Sequence, residues 1–468
     1  MLFNSFAFIL VFPLIWVLYY VLPKKYVTGY LLMISYLLYL NWEPVYAFIL
    51  IGVTMVTYLF PILGNKYFHY RKLILTVGIL LTLVPLIFFK YYNFFTQSVF
   101  EALSYFHLRM KFDTLHWIMP IGISFFTFQS IGYMVDVYKK KCTLEYNLID
   151  YALFISFFPQ IASGPISKAK DLIPQIKQVR EFKAIKVQEG LKLFLWGLFL
   201  KVALADRMGV YVNTVYGNLD HQNGISCLVA SILYSVQIYG DFAGYSLMAI
   251  GVAKTLGINL VNNFNRPYFS TSITEFWRRW HISLSIWLRD YVYIPLGGSR
   301  CSKLKNHWNI YVTFFVSGLW HGANWTFLFW GILHGLFQSV EKLLGLQKSE
   351  AKSGIKLFRI GVTFVLVNFA WIFFRMPTLK DAFIVIKKIF VEFHGRLLLP
   401  DDNASFKYMI CVLVIFLGKE IRDEFFPNRF LLFESKYIVV RYSSYLFILF
   451  VILLTGIFDA GQFIYVNF

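Results

Sequence analysis

The sequence predicts an all-α membrane protein that crosses the bilayer about eleven times. Hydrophobic residues make up 58% of its 468 positions and charged residues only 15%, whereas soluble domains carry about 25% charged residues. Long apolar runs recur along the chain, and several approach the ~20 residues that a helix needs to cross a hydrocarbon core. No linker rich in Pro, Gly or Ser divides the chain. We therefore predict one integral-membrane domain over residues 1–468.

The candidate helices are the apolar runs, in which lipid leaves backbone groups no other hydrogen-bond partner. These runs lie at 5–22, 28–40, 44–63, 73–89, 117–137, 188–204, 225–239, 309–320, 325–344, 357–374, 408–418 and 438–457. The shorter ones are expected to be tilted, re-entrant or buried in protein. The first run has no basic leading region or cleavage site, and it is followed by Pro23-Lys24-Lys25. It is therefore predicted to be a permanent span with its N-terminus outside.

The net charge of +19 is explained by the positive-inside rule and by anionic lipid, without any nucleic-acid partner. Basic residues at 24–25, 66–72 and 139–141 predict cytoplasmic loops. The segment 163–187 is also basic and is predicted to be cytoplasmic. The apolar run 147–162 between two cytoplasmic segments is therefore predicted to enter the membrane and return, which requires shielding by protein or by a cavity.

A second basic stretch, 262–306, contains a predicted amphipathic helix. Ser272-Ile-Thr-Glu275 is a capping box that predicts a helix start near Ile273, and one continuous helix would then run until Pro295. Its arginines make it a poor lipid-facing span, so it is expected at the cytoplasmic interface or dipping into a cavity. His281 is predicted to point inward. Residues at i, i+3 and i+4 spacing form one apolar stripe on this helix: Trp277, Trp280, Leu284, Trp287 and Leu288.

Two copies of the pattern G-x-x-H-G, at 318–322 and 331–335, lie in apolar surroundings. The glycines at i and i+4 predict close helix packing, but they do not explain the histidines, which are unfavourable at membrane depth without a partner or a task. On one continuous helix the two histidines would lie ~20 Å apart, so they could share a reaction centre only if the helix breaks. His321, with Asn324 following where a break is expected, is the better functional candidate. His334 is predicted to be structural.

An intramembrane histidine is suited to general-base catalysis near neutral pH. Acyl transfer from a thioester to a hydroxyl requires positioning, removal of the hydroxyl proton and stabilisation of an oxyanion. The sequence contains no G-x-S-x-G elbow, Walker A motif or G-x-G-x-x-G, so serine hydrolysis, nucleotide hydrolysis and hydride transfer have no support. Its nine histidines and four cysteines are scattered, and no metal site or disulfide framework is predicted.

Asp241, in YGDFAGYS, is a carboxylate in an otherwise apolar helix, which is unfavourable unless it is paired. It is interpreted either as a group that orients an arginine or a histidine, or as one half of a structural ion pair. The sequence leaves both interpretations open.

Several of these segments together resemble the membrane-bound O-acyltransferases, and most closely the bacterial branch that O-acetylates exported polysaccharide such as alginate. The motifs that carry the resemblance are YGDFAGYS (239–246), NFNRPYFSTSITEFWRRWHISLSIWLRDYVYIPLGG (263–298), GLWHGANWTFLFWGILHG (318–335), WIFFRMPTLKDA (371–382) and FIYVNF (463–468).

The resemblance implies a ring of transmembrane helices around a thinned centre with a tunnel, in the bacterial cytoplasmic (inner) membrane. It implies that His321 is the essential histidine and His281 the second histidine of the centre. Acetyl-CoA is the expected cytoplasmic donor, with no bound cofactor. An extracytoplasmic partner acetyltransferase is expected to pass the acetyl group to the polysaccharide.

Further site residues are predicted around this centre. Asn324, Asp241 and Asp290 are candidates for supporting His321. Arg278, Arg279 and Lys303 either bind the phosphates of the donor or merely follow the positive-inside rule. Three other functions remain alternatives: D-alanyl transfer from a carrier protein to teichoic acid, a proton-coupled transporter or flippase, and a structural scaffold. No inverted repeat, which many transporters show, is visible in the sequence.

Overall fold

The computed structural model describes residues 3–41, 44–107, 114–115, 117–178, 181–348, 353–399, 403–429 and 431–458. Within these ranges every regular element is a helix, which confirms the all-α prediction. The C-terminal motif at 463–468 lies outside the described residues.

The α-helices carry the architecture, and shorter 3₁₀ and π turns join or interrupt them. In chain order the α-helices are α1 (Phe6–Val21), α2 (Lys24–Leu40), α3 (Pro44–Lys66), α4 (Arg71–Leu86), α5 (Tyr92–Tyr105), α6 (Ile123–Tyr138), α7 (Leu148–Ser156), α8 (Ala169–Lys177), α9 (Ala184–Leu198), α10 (Asp206–Tyr216), α11 (Gly224–Thr255), α12 (Ile273–Arg279), α13 (Ile282–Leu288), α14 (Lys303–His321), α15 (Trp325–Leu343), α16 (Ser353–Arg375), α17 (Leu379–Val391), α18 (Asn403–Phe425) and α19 (Ile438–Thr455). The π-helical turns are Ile87–Tyr91, Phe199–Ala205 and Arg289–Tyr293.

Five helical segments in the described ranges are long and apolar enough to cross a membrane. They are Pro44–Lys66, Phe68–Tyr105, Gly224–Thr255, Gly354–Arg375 and Ile438–Thr455. The protein is therefore a multi-pass membrane protein. The count of about eleven crossings, the tunnel, the single domain and the orientation of the N-terminus stay predictions.

The predicted re-entrant run 147–162 forms α7 and the turns that follow it. α7 has nine residues, so it is about 14 Å long and too short to cross the bilayer alone. Residues 150–164 are all buried. This length and this burial agree with a segment that enters and returns inside a protein shield.

The amphipathic helix predicted over 273–294 is interrupted, so the prediction of one continuous helix is wrong. Its start is confirmed, because the Ser272 hydroxyl oxygen accepts a hydrogen bond from the N–H of Glu275 at 3.0 Å. His281 then adopts a left-handed backbone with φ of +40° and separates α12 from α13. All five members of the predicted stripe are buried, because both short helices keep that face toward the core.

Asn263 holds this interruption from outside the two helices. Its carbonyl oxygen accepts the N–H of Ile282 at 2.9 Å, and its side-chain oxygen accepts the N–H of Ser283 at 3.2 Å. These N–H groups open α13 and have no partner inside that helix. The left-handed residue is therefore fixed by a contact about twenty positions away in sequence.

Helices α14 and α15 form an antiparallel hairpin, and their contact depends on glycine. A Cβ atom on Gly318 would lie 2.4 Å from the carbonyl oxygen of Phe327, and one on Gly331 would lie 2.4 Å from that of Phe314. The close packing predicted from the glycine spacing is thus confirmed. The chain reverses between His321 and Trp325, so the two G-x-x-H-G patterns face each other.

Asp241 belongs to a buried ion cluster centred on Lys201, which lies on the π turn Phe199–Ala205. The Lys201 ammonium lies 2.7 Å from Asp241 and 2.6 Å from Asp206, and all three side chains are at most 3% exposed. Of the two interpretations of Asp241, the structure shows the ion pair. It fastens α11 to the π turn between α9 and α10.

The glycine contact predicts a large penalty for Gly331→Ala. The added methyl group would meet backbone, which cannot rotate away, so we expect a loss of about 1–3 kcal/mol and a lower melting temperature in detergent. Gly361→Ala in α16 is the matched control, because nothing lies within 4 Å of its added Cβ. Equal melting temperatures for the two variants would contradict the assigned packing.

The ion cluster predicts that Lys201→Met destabilises the fold by about 3–5 kcal/mol, because two buried carboxylates lose their cation. Lys254→Met is the control, since Lys254 pairs with Glu189 at a more exposed site and such pairs contribute less than about 1 kcal/mol. The stability of both variants is measured by thermal unfolding, with size-exclusion chromatography as the readout of the folded fraction. A Lys201→Met protein as stable as the control would show that the cluster does not hold these helices together.

Candidate active site

Three buried histidines occupy one aromatic cluster. His281 and His334 are 0% exposed, and His321 is 1% exposed. The Trp320 ring lies 5.7 Å from the His281 ring and 4.9 Å from the His321 ring, centroid to centroid. The Trp330 ring lies 5.0 Å from His321 and 4.9 Å from His334. The helix break between α14 and α15 therefore brings together histidines that a continuous helix would have separated.

His321 is the last residue of α14, where the hairpin turns. Its ring is held edge-on by Trp330 and by Phe374, whose ring lies 5.3 Å away. A helix end leaves backbone carbonyls without helical partners, so polar backbone groups lie next to His321 in sequence although its ring is surrounded by aromatic side chains. The structure thus places the predicted general base at the end of α14, beside the turn of the hairpin.

His281 lies between Phe242, with ring centroids 4.6 Å apart, and Trp320. Neither of its ring nitrogens has a hydrogen-bond partner among the described residues. Buried polar groups are nearly always hydrogen-bonded, so an imidazole left open in this way is suited to binding a ligand. The inward orientation predicted for His281 is confirmed.

His334 accepts a hydrogen bond at Nδ1 from the indole N–H of Trp277 at 3.3 Å. The rings of Phe276, Phe314 and Trp330 pack around it. These contacts agree with the structural role predicted for His334.

Asn324 caps α15. Its side-chain oxygen accepts the N–H of Thr326 at 3.1 Å, and its amide donates to the carbonyl of Pro377 at 2.8 Å. Both ends of the amide are therefore used to fix the turn that follows His321. A direct part for Asn324 in the chemistry stays a prediction.

A cavity of about 580 Å³ opens beside the cluster, between α12, α13, α14 and α15. Its outer part is basic, with Arg278 and Arg289 exposed and Lys342 half-buried. Within the described chain, no Asp or Glu side chain lines it. Its volume is in the range of small-molecule and cofactor sites, roughly 300–1,000 Å³, and its charge suits an anionic ligand.

The inner part of the cavity is buried and aromatic. Trp277 and Phe314 are each 8% exposed, and Ser317 is 1% exposed. Trp277 donates its hydrogen bond to His334, and Ser317 lies one helical turn before His321 on α14. The cavity therefore runs from basic side chains to Trp277, which contacts His334, and to Ser317 near His321, although none of the three histidines lines it.

The structure separates the three predicted donor-binding residues. Arg278 lines the cavity and forms no ion pair within the described ranges. Arg279 faces away and pairs with Glu275 at 2.6 Å and Glu424 at 3.0 Å. Lys303 is exposed at the start of α14 and does not line the cavity.

Asp290 bridges neighbouring segments and is not part of the histidine cluster. It lies 2.5 Å from Lys168 and 2.8 Å from Arg289. Burial acts to raise the pKa of Asp290, but hydrogen bonds from Arg289 and Lys168 outweigh it and hold the pKa below its usual range. The carboxylate stays charged and fixes the π turn that borders the cavity.

Sequence reasoning missed Asn263, Arg289 and Lys342. Arg289 directly follows the predicted stripe, so its position on the same predicted helix as Arg278 was a usable signal. Lys342 ends an apolar run, and only the hairpin brings it to the cavity. The described residues contain no group of three or more His, Cys, Asp or Glu side chains that could hold a metal ion.

Residues 143–377 match the sequence model of the MBOAT, or membrane-bound O-acyltransferase, family. This range is half of the chain and contains all three clustered histidines, the cavity and Lys201. The chain belongs to the membrane-bound O-acyltransferase family. It is therefore an O-acyltransferase, and this decides against the transporter, flippase and scaffold alternatives.

Relatives of this acyltransferase cover most of its length. The chain is 38% identical over 394 residues to the probable alginate O-acetylase AlgI of Pseudomonas aeruginosa, covering 83% of this chain and 75% of that one. It is 35% identical over 426 residues to the peptidoglycan O-acetyltransferase of Helicobacter pylori, covering 83% and 79%. A more distant match is the teichoic acid D-alanyltransferase of Streptococcus thermophilus, 29% identical over 254 residues and covering 50% and 61%.

Proposed function

We propose that this enzyme takes acetyl groups from cytoplasmic acetyl-CoA and passes them across the inner membrane for O-acetylation of an exported polysaccharide. A partner acetyltransferase outside the membrane receives the acetyl group. Two relatives that cover most of the chain are named as an alginate O-acetylase and a peptidoglycan O-acetyltransferase, and both names describe acetylation of a glycan polymer. These names support acetyl as the group and a glycan as the final acceptor.

The cavity is the observation that carries the proposal. Its basic outer part suits the phosphates of coenzyme A, since Arg278 has no competing ion pair within the described ranges. Its inner part, with Trp277 and Ser317, suits the uncharged pantetheine arm and the thioester. A donor bound in this way has its acyl carbon near His321, which is the positioning that acyl transfer requires.

The proposed reaction needs only groups at this site. His321 accepts the proton of the acceptor hydroxyl while the hydroxyl oxygen bonds to the thioester carbon. The carbon–sulfur bond then breaks, and the proton on the imidazole passes to the thiolate that leaves. A neutral imidazole carries one N–H donor, so His281, with both nitrogens open among the described residues, is the group we assign to the thioester oxygen. Asn324 is less suited, because its amide is committed to the helix cap.

D-alanyl transfer from a carrier protein to teichoic acid is the second candidate. The D-alanyltransferase of Streptococcus thermophilus matches half of the chain, and the phosphopantetheine arm of a carrier would also suit the cavity. The two relatives named for O-acetylation share more identity over a longer range, which favours acetyl-CoA.

The test uses purified protein in sealed vesicles, with radiolabelled acetyl-CoA on the face that carries Lys139–Lys141. Release of free CoA and the location of the label are followed together, with an acceptor glycan and the partner inside. The proposal expects consumption of acetyl-CoA and label on the far side. No turnover of acetyl-CoA, together with turnover of a D-alanyl carrier protein, would favour the second candidate.

His321→Ala is expected to abolish transfer, at least about 1,000-fold, because the general base and its position are both lost. His69→Ala is the control, since His69 is exposed and far from His321 in the sequence. The readouts are CoA release and a size-exclusion profile that verifies folding. A folded His321→Ala protein that still releases CoA at the wild-type rate would show that His321 is not part of the mechanism.

Arg278→Gln is expected to raise KM for acetyl-CoA about ten-fold and to leave kcat nearly unchanged, because a phosphate contact is lost equally in ground and transition states. Lys303→Gln gives the contrast, since Lys303 lies outside the cavity and is expected to change KM less than about two-fold. Initial rates over a range of acetyl-CoA concentrations measure both. A larger rise in KM for Lys303→Gln than for Arg278→Gln would instead indicate that the donor phosphates bind near the start of α14.

A further inference from the structure

Lys90 is a positive charge inside an apolar segment. It lies on the π turn Ile87–Tyr91, within the candidate span Phe68–Tyr105. Its ammonium donates to the hydroxyl of Ser124 at 3.2 Å and to the carbonyl of Trp320. No carboxylate pairs with it in the described part of the chain. Ionisable groups at membrane depth are unfavourable, and where they persist they mark a function or a specific partner.

The partner of Lys90 is the end of the helix that carries His321. The last carbonyls of α14 have no donors within the helix. The carbonyl of Leu319 accepts the hydroxyl of Tyr91 at 2.6 Å, and the carbonyl of Trp320 accepts the Lys90 ammonium. Two consecutive side chains of one segment thus hold the two consecutive carbonyls that precede His321.

Capping alone does not require a lysine at this position. Tyr91 satisfies the neighbouring carbonyl with a neutral hydroxyl, which avoids burying a charge. The ammonium of Lys90 has three N–H donors, and two of them are used. The third has no acceptor among the described residues, and the side chain is only half-buried.

The Trp320 ring joins Lys90 to both histidines. The Lys90 nitrogen lies 5.7 Å from the centre of this ring, a cation–π distance. The same ring contacts His281 at 5.7 Å and His321 at 4.9 Å. In acyl transfer, negative charge forms on the thioester oxygen and then on the sulfur that leaves, and a positive charge held close to the reacting groups stabilises it.

We propose that Lys90 is a positioning residue of the acyl-transfer site. It holds the end of α14 at the residue before His321. Its charge stabilises, through space, the negative charge that forms on the donor. Lys90 forms no covalent bond with the donor. The inference rests on the proposed transfer from acetyl-CoA and adds a residue to it.

Three variants separate the charge from the hydrogen bond. Lys90→Met removes both, Lys90→Arg keeps the charge, and Tyr91→Phe removes only the neighbouring neutral hydrogen bond to the same helix end. We measure kcat and KM for acetyl-CoA in vesicles, with size-exclusion profiles for folding. We expect Lys90→Met to lower kcat about 100-fold with KM nearly unchanged. Lys90→Arg should keep most of the activity, and Tyr91→Phe should lose less than about five-fold.

Equal losses in folded Lys90→Met and Tyr91→Phe proteins would overturn the inference, because Lys90 would then only cap α14. If Lys90→Met does not fold, Lys90→Gln replaces it, since its amide can still donate to a carbonyl without charge. A Lys90→Gln protein as active as Lys90→Arg would also overturn the inference. If the wild type does not consume acetyl-CoA, the proposed function fails and this inference fails with it. A fully active wild type with an equally active Lys90→Met removes this inference alone.

Discussion

The close contact between α14 and α15 is the constraint on which the site depends. Without a Cβ atom on Gly318 and Gly331, each glycine approaches the carbonyl of the opposite helix, and the hairpin can close. In lipid, where apolar side chains gain little by associating, such van der Waals approach is a main source of helix association. The hairpin then places His321 at its turn and His334 on its inner face, with Trp330 between them.

Two breaks in helical structure supply polarity inside an apolar bundle. One is the left-handed residue His281, and the other is the turn from His321 to Asn324. At each break the freed backbone groups find partners from elsewhere: Asn263 at the first, and Tyr91 with Lys90 at the second. Backbone that is not helical is tolerated at membrane depth only when it is shielded in this way. The backbone at each break is therefore held by fixed polar contacts, while the imidazoles of His281 and His321 are surrounded by aromatic rings.

The sequence predicted features that depend on local chemistry. Periodicity and capping located the start of α12 and its buried stripe, and glycine spacing predicted the α14–α15 contact. The sequence-based prediction failed where the conformation depends on distant residues. No residue next to His281 indicates a left-handed backbone there, because the hydrogen bonds that hold this conformation come from Asn263. Arg278 and Arg279 are adjacent and equally basic. In the folded protein, Arg278 lines the cavity and Arg279 pairs with Glu424. The position of Glu424 on α18 could not be read from the local pattern.

The contact between Lys90 and Trp320 joins residues 230 positions apart, and this distance matters for biogenesis. The segment that carries Lys90 leaves the ribosome and reaches the bilayer long before α14 has been translated. Ser124 follows after 34 positions, so it is the first acceptor to be made. Until α14 arrives, a long lysine side chain at this depth is most stable when its ammonium reaches toward the lipid–water interface. The contact that joins Lys90 to the end of α14 can therefore form only after α14 has been made and inserted.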